Sequence, residues 1–371
     1  LFFSGGQSVY SQLLVKDMIY SKSMNALLPT LLYILTFTLT VEIIGAGAIW
    51  LIIHDIFFEM DIATQIKTSL FLSLSSFCNA GFSTLPDGMA NARLMNSNQS
   101  IYIVVSIIVL AGSIGFPVLV NVRDACHEYL RRIWNRLRHR QMVGRQVRLY
   151  NVNTKISVYT TISIFIISTI LFWLMESDNT LAGFSVFDQW VQSVFNATIP
   201  RSSGFQSVAP SGFMPSTLVM IMVLMWIGGA SQSTAGGVKV NTVATLWLNM
   251  KSVVLGRHRV VSYNRTISDD STRRAITVVS LSMIFFFIYS IVLLNLEPTL
   301  QPKAVIFEVV SALFTVGSSM GVTASLSTTS KAILCTAMFL GRVGIMSLLI
   351  GINGNRSDKP VRYPSENIII N

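Results

Sequence analysis

Long apolar runs alternate in this sequence with runs that are too short to cross a membrane. Six runs are long, and the fourth of them is interrupted: residues 28–53, 101–120, 156–175, 218–250, 276–296 and 332–352. Three runs are short, and each lies between two long ones: residues 66–78, 187–199 and 304–314. An apolar helix of about 20 residues spans a bilayer. The long runs therefore predict membrane spans, and the short runs predict segments that enter the bilayer and turn back.

Each short run ends in a stretch of small residues that contains a glycine. The three glycines are Gly81, Gly204 and Gly317, at the same place in each long–short–long set. Repetition of one pattern at a regular interval indicates a repeated architecture. The sequence thus predicts an all-α membrane protein with three consecutive repeats, each made of a membrane span, a pore loop and a second span.

Composition excludes several other classes of protein. Hydrophobic residues make up 51% of the chain and charged residues only 12%, whereas soluble domains carry about 25% charged residues. The net charge of +10 lies in short blocks between apolar runs, which argues against a nucleic-acid partner. The three cysteines and four histidines show no metal-site or catalytic spacing. We therefore expect no cofactor, no resident metal and no enzyme.

The basic blocks predict the topology. Residues 131–148 hold seven arginines and no acid, residues 251–274 hold six basic residues and two aspartates, and the tail carries Arg356, Lys359 and Arg362. Basic loops stay on the cytoplasmic side of a membrane. These segments and the C-terminus are thus predicted to be cytoplasmic in a multi-pass protein of the cell membrane, with all short runs entering from outside. The repeats are then parallel, whereas many alternating-access carriers have inverted halves.

A half-length helix that enters from outside points its C-terminal end at the middle of the membrane. The partial negative charge of that end favours cations. Glycines beyond it allow backbone angles that other residues reach only with strain. Several such strands around one axis would form a ring of carbonyl oxygens that replaces the hydration shell of an alkali cation. The alternative is three external loops, each with a glycine turn.

The pore interpretation assigns a selectivity filter to three groups of residues. No charged residue lies within them, which suits a monovalent cation bound by backbone carbonyl oxygens. The predicted filter residues are Asn79, Ala80, Gly81 and Phe82, then Ser202, Ser203, Gly204 and Phe205, then Thr315, Val316, Gly317 and Ser318.

The fourth long run is interrupted by ten small or polar residues. They predict an unwound loop within the membrane, because each glycine weakens a helix by about 1 kcal/mol relative to alanine. Close packing of small residues between membrane helices is the alternative. The loop comprises Gly228, Gly229, Ala230, Ser231, Gln232, Ser233, Thr234, Ala235, Gly236 and Gly237. Lys239 follows it, either as a cytoplasmic anchor or as part of the loop's function.

These motifs together resemble the Trk/Ktr/HKT superfamily of potassium transporters, and in particular a bacterial Ktr- or Trk-type membrane subunit. The resemblance rests on three filter motifs, on the small-residue loop and on two C-terminal motifs: NAGF from Asn79, RSSGF from Arg201, TVGS from Thr315 with MGVT from Met320, GASQSTAGGVK from Gly229, GRVG from Gly341 and RYP from Arg362. It implies four pore-loop units around a pseudo-fourfold pore. This sequence shows three, and its start resembles the linker after the first unit. We therefore expect the first unit to be missing from the sequence.

The resemblance also implies roles and partners. The loop 228–237 would be a gate below the filter, and Arg342 would hold it by hydrogen bonds to its carbonyl oxygens. An arginine at membrane depth is costly and needs such partners. The membrane subunit would form a homodimer and bind a cytosolic nucleotide-binding regulatory ring, and the basic linkers offer a surface to anionic membrane lipid. Potassium uptake is the implied function. Sodium transport, mixed sodium and potassium transport, and an alternating-access carrier are the alternatives.

The resulting domain boundaries follow the repeats. Residues 27–130 form the repeat with Gly81, residues 155–253 the repeat with Gly204 and the gate loop, and residues 275–353 the repeat with Gly317. The segments between and around them are predicted to be cytoplasmic: residues 1–26, 131–154, 254–274 and 354–371.

Overall fold

The computed structural model describes residues 27–137, 151–257 and 259–344, and it is almost entirely helical there. The helices in chain order are α1 Leu27–Ile56, α2 Ile62–Phe77, α3 Ala92–Ser97, α4 Ser100–Ser113, α5 Phe116–Leu137, α6 Val152–Glu176, α7 Val186–Thr198, α8 Pro215–Trp226, α9 Val240–Val254, α10 Asp269–Leu296, α11 Pro302–Leu313 and α12 Thr328–Val343. Two short strands, β1 Val261–Ser262 and β2 Arg265–Thr266, pair antiparallel. The predicted first linker, most of the arginine-rich linker and the tail lie outside the described residues.

Three of the described helices are long and apolar enough to cross a membrane. They are α1, α6 and α10, and the bent pair α4–α5 raises the number to four if it counts as one span. Only 17–22% of their most apolar windows is buried inside the protein. Side chains such as Ile43 and Ile44 are 66% and 67% exposed. Because exposing so continuous an apolar surface to water is unfavourable, we infer that lipid covers these faces.

The predicted span 101–120 is not one straight helix. Helix α4 ends at Ser113, α5 begins at Phe116, and the chain bends by 94° between them. Gly115 has a φ of +91°, and Pro117 lies in the first turn of α5, where its missing N–H costs nothing. A Cβ on Gly115 would lie 2.6 Å from the Ser231 carbonyl oxygen. The bend therefore gives space to the loop that interrupts the fourth long run.

The three short helices α2, α7 and α11 lie among the long ones. Nine of the twelve residues of α11 are buried, and its Phe307 belongs to an apolar cluster that also includes Phe172 and Leu293. A second cluster joins α4 to α7, where the rings of Tyr102 and Phe195 meet edge to face at 4.9 Å. The short helices are thus held by apolar packing on their sides, which leaves their C-terminal ends to meet near the centre.

The second and third sets of helices each contain an equivalent capping contact. Glu176, at the end of α6, accepts a hydrogen bond from the backbone N–H of Met214 at 2.9 Å, immediately before α8. Glu297, just after α10, accepts one from the backbone N–H of Ser327 at 2.8 Å, immediately before α12. A carboxylate at a helix N-terminus accepts hydrogen bonds from free N–H groups and interacts favourably with the positive end of the helix dipole. In both sets, this contact ties the first long helix to the next one after the short helix.

Candidate functional site

The three predicted filter stretches follow the three short helices, after one residue in the first and third cases and after the 3-10 turn Ile199–Arg201 in the second. They have positive φ at the same two positions. In each stretch, the glycine and the residue two positions before it have positive φ: Asn79 and Gly81, Ser202 and Gly204, Thr315 and Gly317. The residue between them is outside that region. A positive φ is uncommon for Asn, Ser or Thr. Positive φ therefore recurs at the same two positions of all three stretches, although Ser202, at +120°, differs from Asn79 and Thr315, which are both at +53°.

The stretches lie side by side. A Cβ on Gly81 would overlap the Ser203 carbonyl oxygen, and a Cβ on Gly204 would overlap the Val316 carbonyl oxygen. A Cβ on Gly317 would have the Gly204 Cα as its nearest neighbour, at 3.9 Å. The structure therefore brings the three glycines together in the order Gly81, Gly204, Gly317. At the first two positions, only a residue without a side chain fits.

The carbonyl oxygens of these stretches are almost free of hydrogen bonds. Within the described part of the chain, none of the carbonyl oxygens of residues 79–82, 202–205 and 316–318 accepts one. The exception among the predicted residues is the Thr315 carbonyl oxygen, which accepts a hydrogen bond from the Ser202 hydroxyl at 3.3 Å. Carbonyl oxygens at membrane depth need a partner, because an unsatisfied polar group there costs several kcal/mol.

Hydrogen bonds with neighbouring side chains fix the ends of the stretches that follow the filter glycines. The backbone N–H of Phe82 donates to the Ser75 hydroxyl at 2.8 Å, back on α2. Gln206 donates to the Ser318 hydroxyl at 2.9 Å and to the Ser319 carbonyl oxygen at 2.8 Å. The second stretch is thereby tied to the third, and the first is tied to its own short helix.

The interrupting loop lies between α8 and α9, where the predicted break in the run 218–250 occurs. Its two ends meet: the Gly228 N–H donates to the Val238 carbonyl oxygen, and the Val238 N–H donates to that of Trp226, both at 3.0 Å. The loop also bonds to the α4–α5 bend. The Ala230 N–H donates to the Ser113 carbonyl oxygen at 3.0 Å. The closed base and this docking contact make the loop a defined element of the structure.

The loop contacts all three glycine stretches. Its Thr234 hydroxyl accepts a hydrogen bond from Asn79 at 2.7 Å. Its Gly236 N–H donates to the Ser202 hydroxyl at 2.6 Å. A Cβ on Gly236 would overlap the Thr315 hydroxyl. The loop therefore contacts Asn79, Ser202 and Thr315, the residues two positions before the filter glycines.

The two basic residues predicted to act with the loop both donate to its backbone. Arg342 on α12 donates from Nη1 to the Thr234 carbonyl oxygen at 3.0 Å. Lys239 donates from Nζ to the Ala235 carbonyl oxygen at 2.6 Å. Both side chains line a cavity of about 570 Å³ beside the loop, to which loop residues such as Ser233 and Gly237 also contribute. Both cations thus hold the loop through its backbone carbonyl oxygens.

A second cavity lies beside the first and third stretches. It has a volume of about 380 Å³ and is lined by Asn79 and Ala80 on one side and by Thr315, Gly317 and Arg342 among others on the other. Among the described residues, the row of glycine stretches is therefore open at this place. The resemblance predicts a fourth stretch for the same gap between the third stretch and the first.

Sequence reasoning missed two residues beside the stretches. Glu308 on α11 is 7% exposed. Its carboxylate accepts hydrogen bonds from the hydroxyls of Ser319 and Thr323, the latter at 3.0 Å. Arg201 is only 2% exposed, and its guanidinium nitrogens have no hydrogen-bond partner among the described residues. Glu308 lies within the apolar run 304–314, and Arg201 follows the run 187–199 at the start of the RSSGF motif. A charged residue in such a place is a visible sequence signal.

Comparison with known proteins identifies related sequences along the whole chain. A relative from Enterococcus hirae, the potassium/sodium uptake protein NtpJ, is 30% identical, and the alignment covers 100% of this chain and 78% of that protein. The Ktr system potassium uptake protein B of Bacillus subtilis is 26% identical, with 95% of this chain and 74% of that protein covered.

A solved structure has the same fold. The crystal structure of the potassium transporter TrkH from Vibrio parahaemolyticus superposes with a TM-score of 0.69 at 18% sequence identity, covering 92% of this chain and 68% of that one. The family model described as TrkH, cation transport protein, matches residues 1–361. This family consists of ion transporters and not of enzymes. The chain is a multi-pass membrane protein that belongs to the TrkH family of cation transport proteins.

Proposed function

We propose that this protein takes up potassium across the cell membrane through a filter of backbone carbonyl oxygens, below which the loop 228–237 acts as a gate. The observation that carries the proposal is the row of glycine stretches with carbonyl oxygens that accept no hydrogen bond. Dehydrated alkali cations are the natural partners of such oxygens. The three short helices add the negative ends of their dipoles to the same place.

The absence of charge in the stretches favours a monovalent cation. No residue of 79–82, 202–205 or 315–318 carries a charge, whereas pores for divalent cations use rings of carboxylates. The names of two relatives include potassium uptake, and one of them also includes sodium. Potassium is the proposed substrate. Sodium, alone or with potassium, is the second candidate, because the three stretches differ in sequence and form an uneven set of ligands.

The gate role rests on where the loop lies. Thr234 and Gly236 contact the first two stretches through Asn79 and Ser202. A chain segment in that position obstructs an ion leaving the stretches. Arg342 and Lys239 hold it by hydrogen bonds to its carbonyl oxygens and oppose the passage of a cation by charge repulsion. Opening then requires the loop to move away from the glycine stretches.

The proposed orientation follows from charge, and the proposed assembly follows from the resemblance to the Trk/Ktr/HKT superfamily. The arginine-rich linker and the segment before α10 would face the cytoplasm. There they would bind anionic lipid and a nucleotide-binding regulatory ring, and the membrane subunit would form a homodimer. The relative from Bacillus subtilis is named as part of a system, which supports the search for a second subunit. Affinity purification of the tagged protein from its native membrane would identify that subunit.

Uptake in a bacterium that lacks its own potassium transporters tests the function. Cells that express the full-length gene should grow at low potassium and accumulate rubidium, the usual tracer for potassium. Parallel measurements with sodium separate the two candidate substrates. Uptake of sodium without uptake of rubidium would identify sodium, and not potassium, as the substrate. If a well-expressed protein took up neither cation, the proposal would be refuted. An alternating-access carrier would show saturation of uptake with exchange across the membrane.

A further inference from the structure

We propose that the cavity below the loop is a binding site for a phosphate-type anion, and that the bound anion holds the loop in place. We call this 570 Å³ space the basic cavity, since Lys239, Arg274 and Arg342 all line it. No Asp or Glu belongs to its described lining. The inference concerns regulation and rests on the proposed gate role only for its effect on transport, because binding itself can be measured without transport.

The cations of the basic cavity are poorly neutralised. Within the described part of the chain, Arg342 and Lys239 donate only to carbonyl oxygens of the loop, at 3.0 Å and 2.6 Å. They are close enough for their positive charges to repel each other. Arg274 pairs with Asp270 at 3.1 Å, but both side chains are largely exposed, and such surface pairs contribute little. An anion in the cavity would therefore find three donors with unused N–H groups.

The backbone adds to the positive field. Helix α9 begins at Val240, directly beside the cavity, and its N-cap residue Lys239 provides no side-chain acceptor. The N–H groups of Val240, Thr242 and Val243 already donate to carbonyl oxygens, so the helix dipole is what attracts an anion at this end. Thr242 in this first turn also lines the cavity and offers a hydroxyl donor. Cations on three different elements thus converge with a helix N-terminus on one space.

Several donors of this kind suit a phosphate group better than chloride or a single carboxylate. Arginine binds phosphate oxygens with two parallel hydrogen bonds, and lysine adds a point charge. A phosphate that contacts Lys239, Arg274 and Arg342 would join the end of the loop to α10 and α12. Because Arg342 already holds the Thr234 carbonyl oxygen, this bridge would keep the loop against the glycine stretches. Occupancy is therefore expected to lower cation flux.

Binding of inorganic phosphate to the purified full-length protein is the primary test. Titration calorimetry at constant ionic strength, with chloride as the replaced anion, gives the dissociation constant. We expect Arg274→Gln to weaken phosphate binding by about tenfold, as loss of one charge-assisted hydrogen bond predicts. Arg274 makes no bond to the loop, so this variant keeps the loop contacts. Lys251→Gln, on the exposed far end of α9, is the matched control and should bind like the wild type.

Flux measurements distinguish the sources of the phosphate group. In one arm, phosphatidylcholine vesicles receive inorganic phosphate on each face in turn. In the other, the vesicles contain phosphatidic acid and no free phosphate. A fall in rubidium flux in either arm, lost in Arg274→Gln and kept in Lys251→Gln, supports the site and identifies its source. Unchanged binding in Arg274→Gln, or no binding of either phosphate source to the wild type, overturns it. If the wild-type protein bound phosphate but carried no rubidium flux under any condition, the transport function would be refuted and the anion site would still be supported.

Discussion

Asn79, in the first glycine stretch, donates a hydrogen bond to the Thr234 hydroxyl, with 2.7 Å between Nδ2 and Oγ1. The same hydroxyl lies 3.1 Å from the Phe77 carbonyl oxygen and 3.0 Å from that of Gly112. One side chain of the loop therefore contacts the first stretch, the end of α2 and the α4–α5 bend. This junction is the direct structural connection between the proposed gate and the proposed filter.

Thr234→Val removes the hydroxyl and keeps the shape of the side chain. A lost hydrogen bond at a partly buried site costs about 1 kcal/mol, so the loop should leave its position more often. We expect rubidium flux in vesicles to rise by roughly fivefold, the factor that this energy corresponds to. The control is Thr245→Val, because the Thr245 hydroxyl bonds to the Asn241 carbonyl oxygen of its own helix. Equal flux in both variants would exclude Thr234 as a gate contact.

Arg342→Gln should have a larger effect on flux. The change removes the charge and weakens the hydrogen bond to the Thr234 carbonyl oxygen, and hydrogen bonds of charged groups are worth about 1.5–3 kcal/mol. We expect at least about a tenfold rise in cation flux. Arg93→Gln serves as the control, since Arg93 pairs with Glu59 at an exposed site. Flux at the wild-type level would mean that Arg342 does not restrain the loop.

Alanine substitutions of the glycines should form a graded series. At Gly81 and Gly204, a Cβ would overlap a neighbouring carbonyl oxygen in addition to the strain of a positive φ. At Gly317 the nearest atom would be 3.9 Å away, so only the strain of about 1–2 kcal/mol remains. We expect Gly81→Ala and Gly204→Ala to abolish potassium uptake. Gly317→Ala should reduce uptake or alter the ratio of potassium to sodium.

Gly47→Ala is the matched control for this series. Gly47 lies within α1, and a Cβ there would have no atom within 4 Å. Alanine in a helix is more favourable than glycine by about 1 kcal/mol, so uptake should be unchanged and the unfolding temperature equal or higher. If Gly81→Ala and Gly204→Ala transported as well as Gly47→Ala, the carbonyl oxygens beside them would not form the ion path.

Substitution of Glu308 should lower the affinity for the transported cation. Its carboxylate holds the hydroxyls of Ser319 and Thr323, and so fixes the segment that follows the third stretch. Glu308→Leu removes both hydrogen bonds to the carboxylate, and hydrogen bonds to a charged group contribute about 1.5–3 kcal/mol. We expect the KM for potassium uptake to rise about tenfold or more, with a smaller rise for Glu308→Gln, which keeps one acceptor oxygen. An unchanged KM in Glu308→Leu would limit Glu308 to a packing role.

The sequence predicted the parts of this site that depend on local pattern. Half-length apolar runs ending at Gly81, Gly204 and Gly317 correspond to α2, α7 and α11, and the ten small residues correspond to the break between α8 and α9. The run 101–120 was predicted as a membrane span with no interruption, whereas the chain bends by 94° within it, near Gly115 and Pro117. A hydropathy pattern reports length and polarity, and it does not report a bend that tertiary contacts stabilise.

Contacts between distant residues were beyond what the pattern could give. Asn79 and Thr234 are 155 positions apart, and nothing in either local sequence specifies the other. Glu308 was overlooked because one carboxyl group in an apolar run does not show which hydroxyls it will meet. Such pairings depend on how the helices pack, and packing is set by many weak contacts at once.

The capping contact of Glu297 predicts a dependence of stability on pH. Hydrogen bonds from Ser327 and Ser330 to the carboxylate lower the pKa of Glu297 below its ordinary value. The unfolded chain, with a glutamate pKa of about 4.3, therefore binds a proton more readily than the folded protein. The stabilisation is present above that pH and is lost as the pH falls through the lowered pKa of the folded state.

Thermal unfolding of the purified protein between pH 7 and pH 3.5 measures this contribution. Glu297→Gln should unfold at a lower temperature than the wild type at pH 7, because the neutral amide is a weaker acceptor for the Ser327 N–H. Its unfolding temperature should also fall less steeply on acidification, since the titrating group is gone. Glu59→Gln, at an exposed ion pair, should follow the wild type throughout. Parallel pH profiles for the wild type and Glu297→Gln would show that the cap between α10 and α12 does not contribute to stability as a charged group.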